Sequence, residues 1–336
     1  MPQVITLGDV NTDFIAHLPY YPQPGGDGVA HHAQIYSGGS AANTALVLAS
    51  CGISAGLVAR VGRDALAAQA LVELDDVGVD LGQIQYDPEL TSGIMFIAVT
   101  PDGERTMFGY RGANVRLDPA LIAPSEIASA QVLHISGYAL LESPQRDAAR
   151  RAVEIAYEAG VRVSLDMGVE AAQNRTSQVL DLLPLVDWIF PNELEAQSLI
   201  GHADGPRAME RLLGYGLEAA ALKLGKMGCV IGSAEGIIAI PAFEMQVQDT
   251  TGAGDSFGAG FIAGWLNGLN WRAIGLLANA LGGLAASVIG AGASLPGPKD
   301  VIQLLDSQGK SDLWQDCQAE IEAIRTFLNK ILPGRE

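Results

Sequence analysis

Apolar runs of four to six residues alternate with helix-period segments along most of this 336-residue chain, and few folds can be built from that alternation. Residues 4–8, 56–61, 132–136, 161–166, 186–190 and 219–224 read as buried strands. Residues 229–232 and 237–240 read as two more, joined by a short turn. Helical segments fall between most of them. The clearest spans 143–160: Ser143 is placed to cap it, Pro144 suits its first turn and Gly160 its end. Ala148, Ala152, Ile155, Ala156 and Ala159 share one face of it. The pattern predicts an α/β chain with a mainly parallel sheet covered on both sides.

Two segments interrupt the alternation. Residues 14–36 hold a Pro/Gly-rich loop, LPYYPQPGGDG, followed by HHAQIY. Residues 91–111 read as a hairpin: GIMFIAVT, a turn at Pro101-Asp102-Gly103, then RTMFGYR. Each is too short to be a domain. Paired, they would form a small sheet over the strand ends, a lid. The expected division is therefore a core of 1–13, 37–90 and 112–300, a β lid of 14–36 and 91–111, and a helical tail of 301–336 with no visible chemistry.

Composition narrows the partners. Lysine and arginine number 20 against 38 acidic residues, a net charge of −18, which disfavours phosphodiester backbones and anionic lipid. Three cysteines, Cys51, Cys229 and Cys317, show no disulfide or zinc spacing. The start, MPQVITLGD, has no signal-peptide features, so a cytoplasmic protein is expected. Between Asp255 and Lys299 the sole formal charge is Arg272. Residues 273–295 are long enough to span a bilayer. Their alanine and glycine content, broken by Asn279 and Ser287, instead suits helices packed closely in a core.

Four motifs carry chemistry. In DTTGAGD, residues 249–255, Gly252 and Gly254 leave N–H groups uncovered where a helix begins, an anion site. A carboxylate there, Asp255, repels a merely bound anion. It makes sense as the acceptor of a proton from a hydroxyl that attacks the anion, as phosphoryl transfer requires. In SGGSAANTA, residues 37–45, Gly38 and Gly39 allow close approach to the backbone, and Asn43 offers a donor and an acceptor to a polyol. GDVNTD, residues 8–13, places carboxylates past the end of the first strand, where open α/β sheets bind ligands. PNELE, residues 191–195, reads either as a capping box of Asn192 and Glu195 or as an oxygen-rich environment for hydrated Mg²⁺.

DTTGAGD resembles the C-terminal signature, and SGGSAANTA the N-terminal signature, of the PfkB family of carbohydrate kinases (ribokinase-like). GDVNTD, PNELE and KLGKMG (residues 223–228) follow in that family's order, and the resemblance covers about the first 300 residues. It implies a three-layer αβα sandwich with a mainly parallel sheet and a small β-sheet lid. It implies Asp255 as catalytic base, the amides of Gly252, Ala253 and Gly254 as anion hole, and a sugar held by Asp13, Gly38, Gly39 and Asn43, with Glu142 in a sugar-contacting place. Asn192 and Glu195 would lie near Mg²⁺ and the phosphates of ATP, Glu195 as the metal-side group. Gly225 and Gly228 would let adenine lie against the backbone, with Lys223 beside them and Asn279 lining that pocket. Asp249, Thr251 and residues 290–294 match the place of a monovalent cation such as K⁺. Lids of the family often pair into homodimers.

Two departures stand out. Asp166-Met167-Gly168 replaces the frequent Asp-x-Asn, and Lys223 stands where threonine is common. Arg105, Tyr110 and Arg111 lie on the lid hairpin. Arg111 could grip a sugar carboxylate, as in 2-keto-3-deoxygluconate kinases, or donate to hydroxyls. The P-loop reading fails because Gly309-Lys310-Ser311 lacks the upstream glycine, and the dinucleotide reading fails because Gly8 is followed by DVN. What remains is an ATP-dependent kinase of a small sugar: ribose, a ketohexose or a 2-keto-3-deoxy sugar acid. A nucleoside kinase and a non-catalytic sugar-binding protein of the same fold are the alternatives.

Overall fold

The structure is a computed structural model and describes residues 1–101 and 105–332. Its strands are β1 (Val4–Leu7), β2 (Asn11–His17), β3 (His32–Gly38), β4 (Ala55–Gly62), β5 (Asp80–Asp87), β6 (Gly93–Val99), β7 (Arg105–Tyr110), β8 (Val132–Ser136), β9 (Arg162–Asp166), β10 (Trp188–Phe190), β11 (Ala219–Lys223), β12 (Cys229–Ser233) and β13 (Gly236–Ile240). Its α-helices are α1 (Ser40–Ser50), α2 (Ala65–Asp76), α3 (Pro124–Ser129), α4 (Gln145–Ala159), α5 (Val169–Asn174), α6 (Thr176–Leu182), α7 (Glu193–Ile200), α8 (Gly205–Leu213), α9 (Ala253–Leu266), α10 (Trp271–Ala286), α11 (Pro298–Gln308) and α12 (Gln318–Asn329).

Nine strands form one sheet in the order β13-β12-β11-β10-β9-β8-β1-β4-β5. The run from β11 to β5 is parallel; β12 and β13 fold back antiparallel as a hairpin at one edge. Central strands are buried on both faces, so their sequences are mainly apolar, with a few buried polar residues such as His134 and Ser164. Side chains still alternate. Trp188 and Phe190 join a core with α1, α2 and α9 to α12, while Ile189 joins a second core with α3 to α8. These two cores are the outer layers of the αβα sandwich.

The two interrupting segments pair as expected, into a four-stranded sheet ordered β3-β2-β6-β7. It starts earlier than anticipated: β2 begins at Asn11, so Asp13 lies on a lid strand and not in a turn of the core. Asp102 and Gly103 of the expected hairpin turn lie outside the described residues. Strand β5 escaped the sequence reading because LGQIQYD is half polar, as a sheet edge permits. Ser143 does not cap α4; the helix starts at Gln145 and the Ser143 hydroxyl donates to Asp147 (2.8 Å). The weakly charged stretch 256–298 is mainly α9 and α10, packed in the core, and among the described residues no helix is long and apolar enough to cross a membrane.

Candidate active site

Parallel strands deliver their C-terminal ends to one edge. Asp9 follows β1, Ser136 ends β8, Asp166 ends β9, Asn192 follows β10 and Lys223 ends β11. Helix α9 starts among them. Its N-cap, Gly252, is left-handed (φ 73°), and a Cβ there would come within 2.7 Å of the Leu295 side chain. Among the described residues the N–H groups of Gly252 and Gly254 make no hydrogen bond, whereas that of Ala253 turns back to the Thr250 carbonyl at 3.3 Å. Two of the three expected amides are thus free for an anion at the positive end of a fourteen-residue helix.

Asp255 is the third residue of α9 and is buried. Asn43 Nδ2 donates to its Oδ2 (2.7 Å), and the Ser40 hydroxyl also bonds it. Burial pushes the Asp255 pKa up to about 6; Asp166 adds to the rise, while Asn43, Ser40 and Lys223 oppose it. Asn43, expected on the sugar, therefore spends its amide N–H on the base and orients it. Asp13 faces the same region. Its Oδ1 is buried with no hydrogen-bond partner among the described residues, and burial, then Asp255 and Asp249, raise its pKa to about 7. Gly38 is bare because a Cβ there would sit 2.3–2.5 Å from the Asp13 carboxylate; a Cβ on Gly39 (φ 98°) would strike the Asp9 carbonyl oxygen at 2.3 Å.

Arg111 leaves the lid and turns onto Asp9, Nε donating to Oδ2 (3.1 Å) and Nη2 to Oδ1 (2.9 Å). Nη2 also reaches the Tyr138 carbonyl and Gln145 Oε1, and Gln145 Nε2 donates to Asp9 (2.7 Å). Nη1 is buried and unpartnered among the described residues. Glu142, expected on the sugar, is exposed; the buried side chain that its segment sends to Asp9 is Gln145, which carried no sequence signal.

Asn192 and Glu195 do form the capping box: Glu195 N donates to Asn192 Oδ1 (2.9 Å) and Asn192 N to Glu195 Oε2 (2.8 Å). Glu195 is nonetheless part of the site. Burial raises its pKa to about 7, with Asp166 adding and Lys223 and the Asn192 amide opposing. No cluster of three or more metal-binding side chains exists among the described residues. Mg²⁺ holds several waters and takes one or two carboxylates together with phosphate oxygens, a role the Glu195 carboxylate suits.

Gly225 (φ 55°) and Gly228 (φ 91°) lie between β11 and β12. A Cβ on Gly228 would meet the Ile240 carbonyl oxygen at 2.1 Å, and Asn279 Nδ2 donates to the carbonyls of Ile240 and Pro241, both at 3.1 Å. These residues shape the exit of β13. At Asp249 the expected cation place is already furnished with donors. Its carboxylate accepts from Thr251 N (2.9 Å), Thr251 Oγ1 (2.7 Å), Gly290 N (3.0 Å) and the Arg105 guanidinium. Arg105 also donates to Thr251 Oγ1 (2.9 Å) and Thr250 Oγ1 (2.5 Å). A carboxylate so engaged does not fit a free monovalent cation; positive charge comes to it from a lid arginine.

Bare helix-start amides, a buried acid held by an amide side chain, and a β lid above the strand ends together define a group-transfer site: one that places an anion next to a base. Comparison with known proteins agrees. Residues 1–298 match the pfkB family carbohydrate kinase family, and the chain belongs to it. It is 31% identical over 294 residues to an ATP-dependent ribose-1-phosphate kinase of Halopiger xanaduensis (87% of this chain, 94% of that one). It is 28% identical over 309 residues to the ribokinase of Haemophilus influenzae (89% and 97%). Arabidopsis thaliana ribokinase, solved with ribose and ATP, superposes with a TM-score of 0.76 at 25% identity, covering 90% of this chain and 98% of that one. The protein is a carbohydrate kinase.

Proposed function

We propose that the chain transfers the γ-phosphoryl group of ATP to the hydroxymethyl hydroxyl of a small neutral sugar, with Asp255 as base. The observation that carries this is the buried Asp255 carboxylate, fixed by Asn43 beside the free amides of Gly252 and Gly254. Asp255 takes the hydroxyl proton as that oxygen bonds to the γ-phosphorus; the bond from phosphorus to the β–γ bridging oxygen breaks, and ADP leaves. Mg²⁺, when bound, would neutralise charge on the phosphates, and Glu195 would be the carboxylate that orients its waters. The lid excludes water.

Sugar choice follows from charge. The Arg111 guanidinium is already matched by the Asp9 carboxylate, so it has no uncompensated charge for a sugar acid. Its unpartnered Nη1 and the unpartnered Asp13 Oδ1 are a donor and an acceptor suited to hydroxyls. A neutral pentose or ketohexose is therefore favoured over a 2-keto-3-deoxy acid, with a sugar 1-phosphate tested because one relative is named for it. The experiment is ADP release with ATP and a panel of ribose, ribose 1-phosphate, fructose, 2-keto-3-deoxygluconate and adenosine. Asp255→Asn is expected to keep the fold, lower kcat at least ~10²-fold and abolish the acid limb near pH 6. Near-normal turnover in that variant refutes the assigned base.

We further propose a homodimer through the lid. Ile35, Phe14, Phe96 and Phe108 lie directly opposite one another across β3, β2, β6 and β7, an apolar row on one face of the small sheet.

A further inference from the structure

Lys223 lies at the strand ends, and its surroundings are unusual. It closes β11, its N–H donates to the Pro191 carbonyl (2.8 Å), and its nearly buried ammonium lies 2.6 Å from Asp166 Oδ1 at the end of β9. A Cβ on Gly254 would come within 3.2 Å of Lys223 Nζ and 3.5 Å of Asp166 Oδ2. Gly254 is thus bare towards the ion pair, and the ammonium borders the same turn whose amides are free. Burial works against the charge of Lys223, but Asp166, Glu195 and Asp255 outweigh it and hold its pKa above the ordinary lysine value. The ammonium stays charged.

Electrostatics at this turn call for that charge. Asp166, Glu195 and Asp255 all bear on the small volume in front of α9, and each, when ionised, repels an arriving phosphate. Two free amides are a modest counterweight. Among the described residues Asp166 is the sole side-chain acceptor of Lys223, which leaves two of three ammonium donors for a ligand.

We propose that Lys223 is a catalytic residue: its ammonium, tethered by Asp166 beside Gly254, donates to the oxygens of the γ-phosphoryl group as that group passes to the sugar. Asp166 is the positioning residue that keeps the ammonium at the turn. Lys223 retains its proton throughout; the proton released by the sugar hydroxyl goes to Asp255, the new bond is sugar oxygen to phosphorus, and the bond broken is phosphorus to the β–γ bridging oxygen. The inference rests on the kinase reading given above.

The test compares Lys223→Met with wild type in turnover and in binding. Calorimetric titration uses ADP and the non-hydrolysable analogue AMP-PNP, each with Mg²⁺. Loss of one donor to developing charge lowers kcat by about 10²–10³-fold. Affinity for AMP-PNP falls while that for ADP is unchanged, since only the analogue carries a γ-phosphoryl group. A purely structural lysine would weaken both nucleotides together or lower the melting temperature alone, and either result overturns the proposal. So does wild-type kcat in the variant. Removing the cation leaves Asp166 buried without its partner, so folding could fail. Asp166→Asn/Lys223→Met removes both charges, and in it the selective loss of AMP-PNP affinity is expected to persist. A wild-type chain that releases no ADP with any carbohydrate contradicts the kinase reading itself, whereas active wild type with an equally active variant overturns only the lysine.

Discussion

Three carboxyl groups of this site resist ionisation. Asp13 and Glu195 are raised to about 7 and Asp255 to about 6, in each case chiefly by burial. Their ordinary values are 3.8 for aspartate and 4.5 for glutamate, so each binds its proton more tightly folded than unfolded. The stability they contribute is complete below about pH 4 and is lost as pH rises through 6 to 7. His134 runs the other way. Burial depresses it to about 4 from 6.5, so protonation of the unfolded chain takes stability away below 6.5. Between pH 8 and 6.5 the carboxyl groups outweigh His134 and the partly exposed His17, which is also lowered. The melting temperature of the ligand-free protein is therefore expected to rise as pH is lowered across that window, and Asp13→Asn and Glu195→Gln to flatten the rise. A scan that is flat or falls towards pH 6.5 in the wild type contradicts the protonated carboxyls. Asp255 and the two free amides were legible in the sequence because glycine beside a helix start and a misplaced carboxylate each need a reason. Asn43 and Gln145 were not legible in their roles. Both act through contacts across more than a hundred residues, and no local spacing encodes such contacts.

At the scale of elements, what reads clearly is what local physics fixes. Alternating runs gave the central strands, since burial on both faces demands apolar side chains. Edge strand β5 and the early start of β2 depend instead on neighbours, and neither had a pattern to betray it. Helices α9 and α10 pack so closely that a Cβ on Gly260 would lie 2.9 Å from the Ala278 Cα, which explains a small-residue stretch that could pass for a membrane span. Among the described residues, hairpin β6–β7 reaches the segment leading into α9 through Arg105. Arg105, first residue of β7, bonds Asp249, Thr250 and Thr251 on the segment leading into α9. Such charge-assisted bonds are worth roughly 1.5–3 kcal/mol when formed out of water, and the partial exposure of this arginine puts it at the low end. Arg105→Ala is expected to raise the sugar KM by about tenfold with little change in melting temperature, and to speed amide exchange in 93–99 and 105–110. Unchanged exchange in both strands contradicts a lid latched by Arg105.

The whole molecule is braced from two directions. From below, the C-terminal helices clamp the loop between β13 and α9. Trp314 stacks on Phe243 (centroids 4.5 Å apart), and Gln308 pairs with Glu244 through both backbone groups (2.9 and 2.8 Å). The tail thus packs against the segment that leads from β13 towards α9. From above, the outer face of the lid is left uncovered among the described residues. Phe96 and Phe108 are 49% and 52% exposed and Ile35 is 44% exposed, in register with Phe14, which stacks on Phe96 at 5.4 Å. A contiguous apolar row of this kind on a small sheet is costly to leave in water. A self-complementary face is the simplest cover, because two-fold pairing sets the same row against itself. Stable dimers bury about 800 Å² per partner, which a four-stranded sheet with its flanking loop can supply. Equilibrium sedimentation at micromolar concentration is expected to show a dimer for the wild type and a monomer for Phe96→Lys/Phe108→Lys. Both side chains point away from the core, so the variant should melt near the wild type. A monomeric wild type, or a variant that still sediments as a dimer, removes the lid as the interface. A monomeric variant with a raised sugar KM would show that the partner's lid steadies this one over the site.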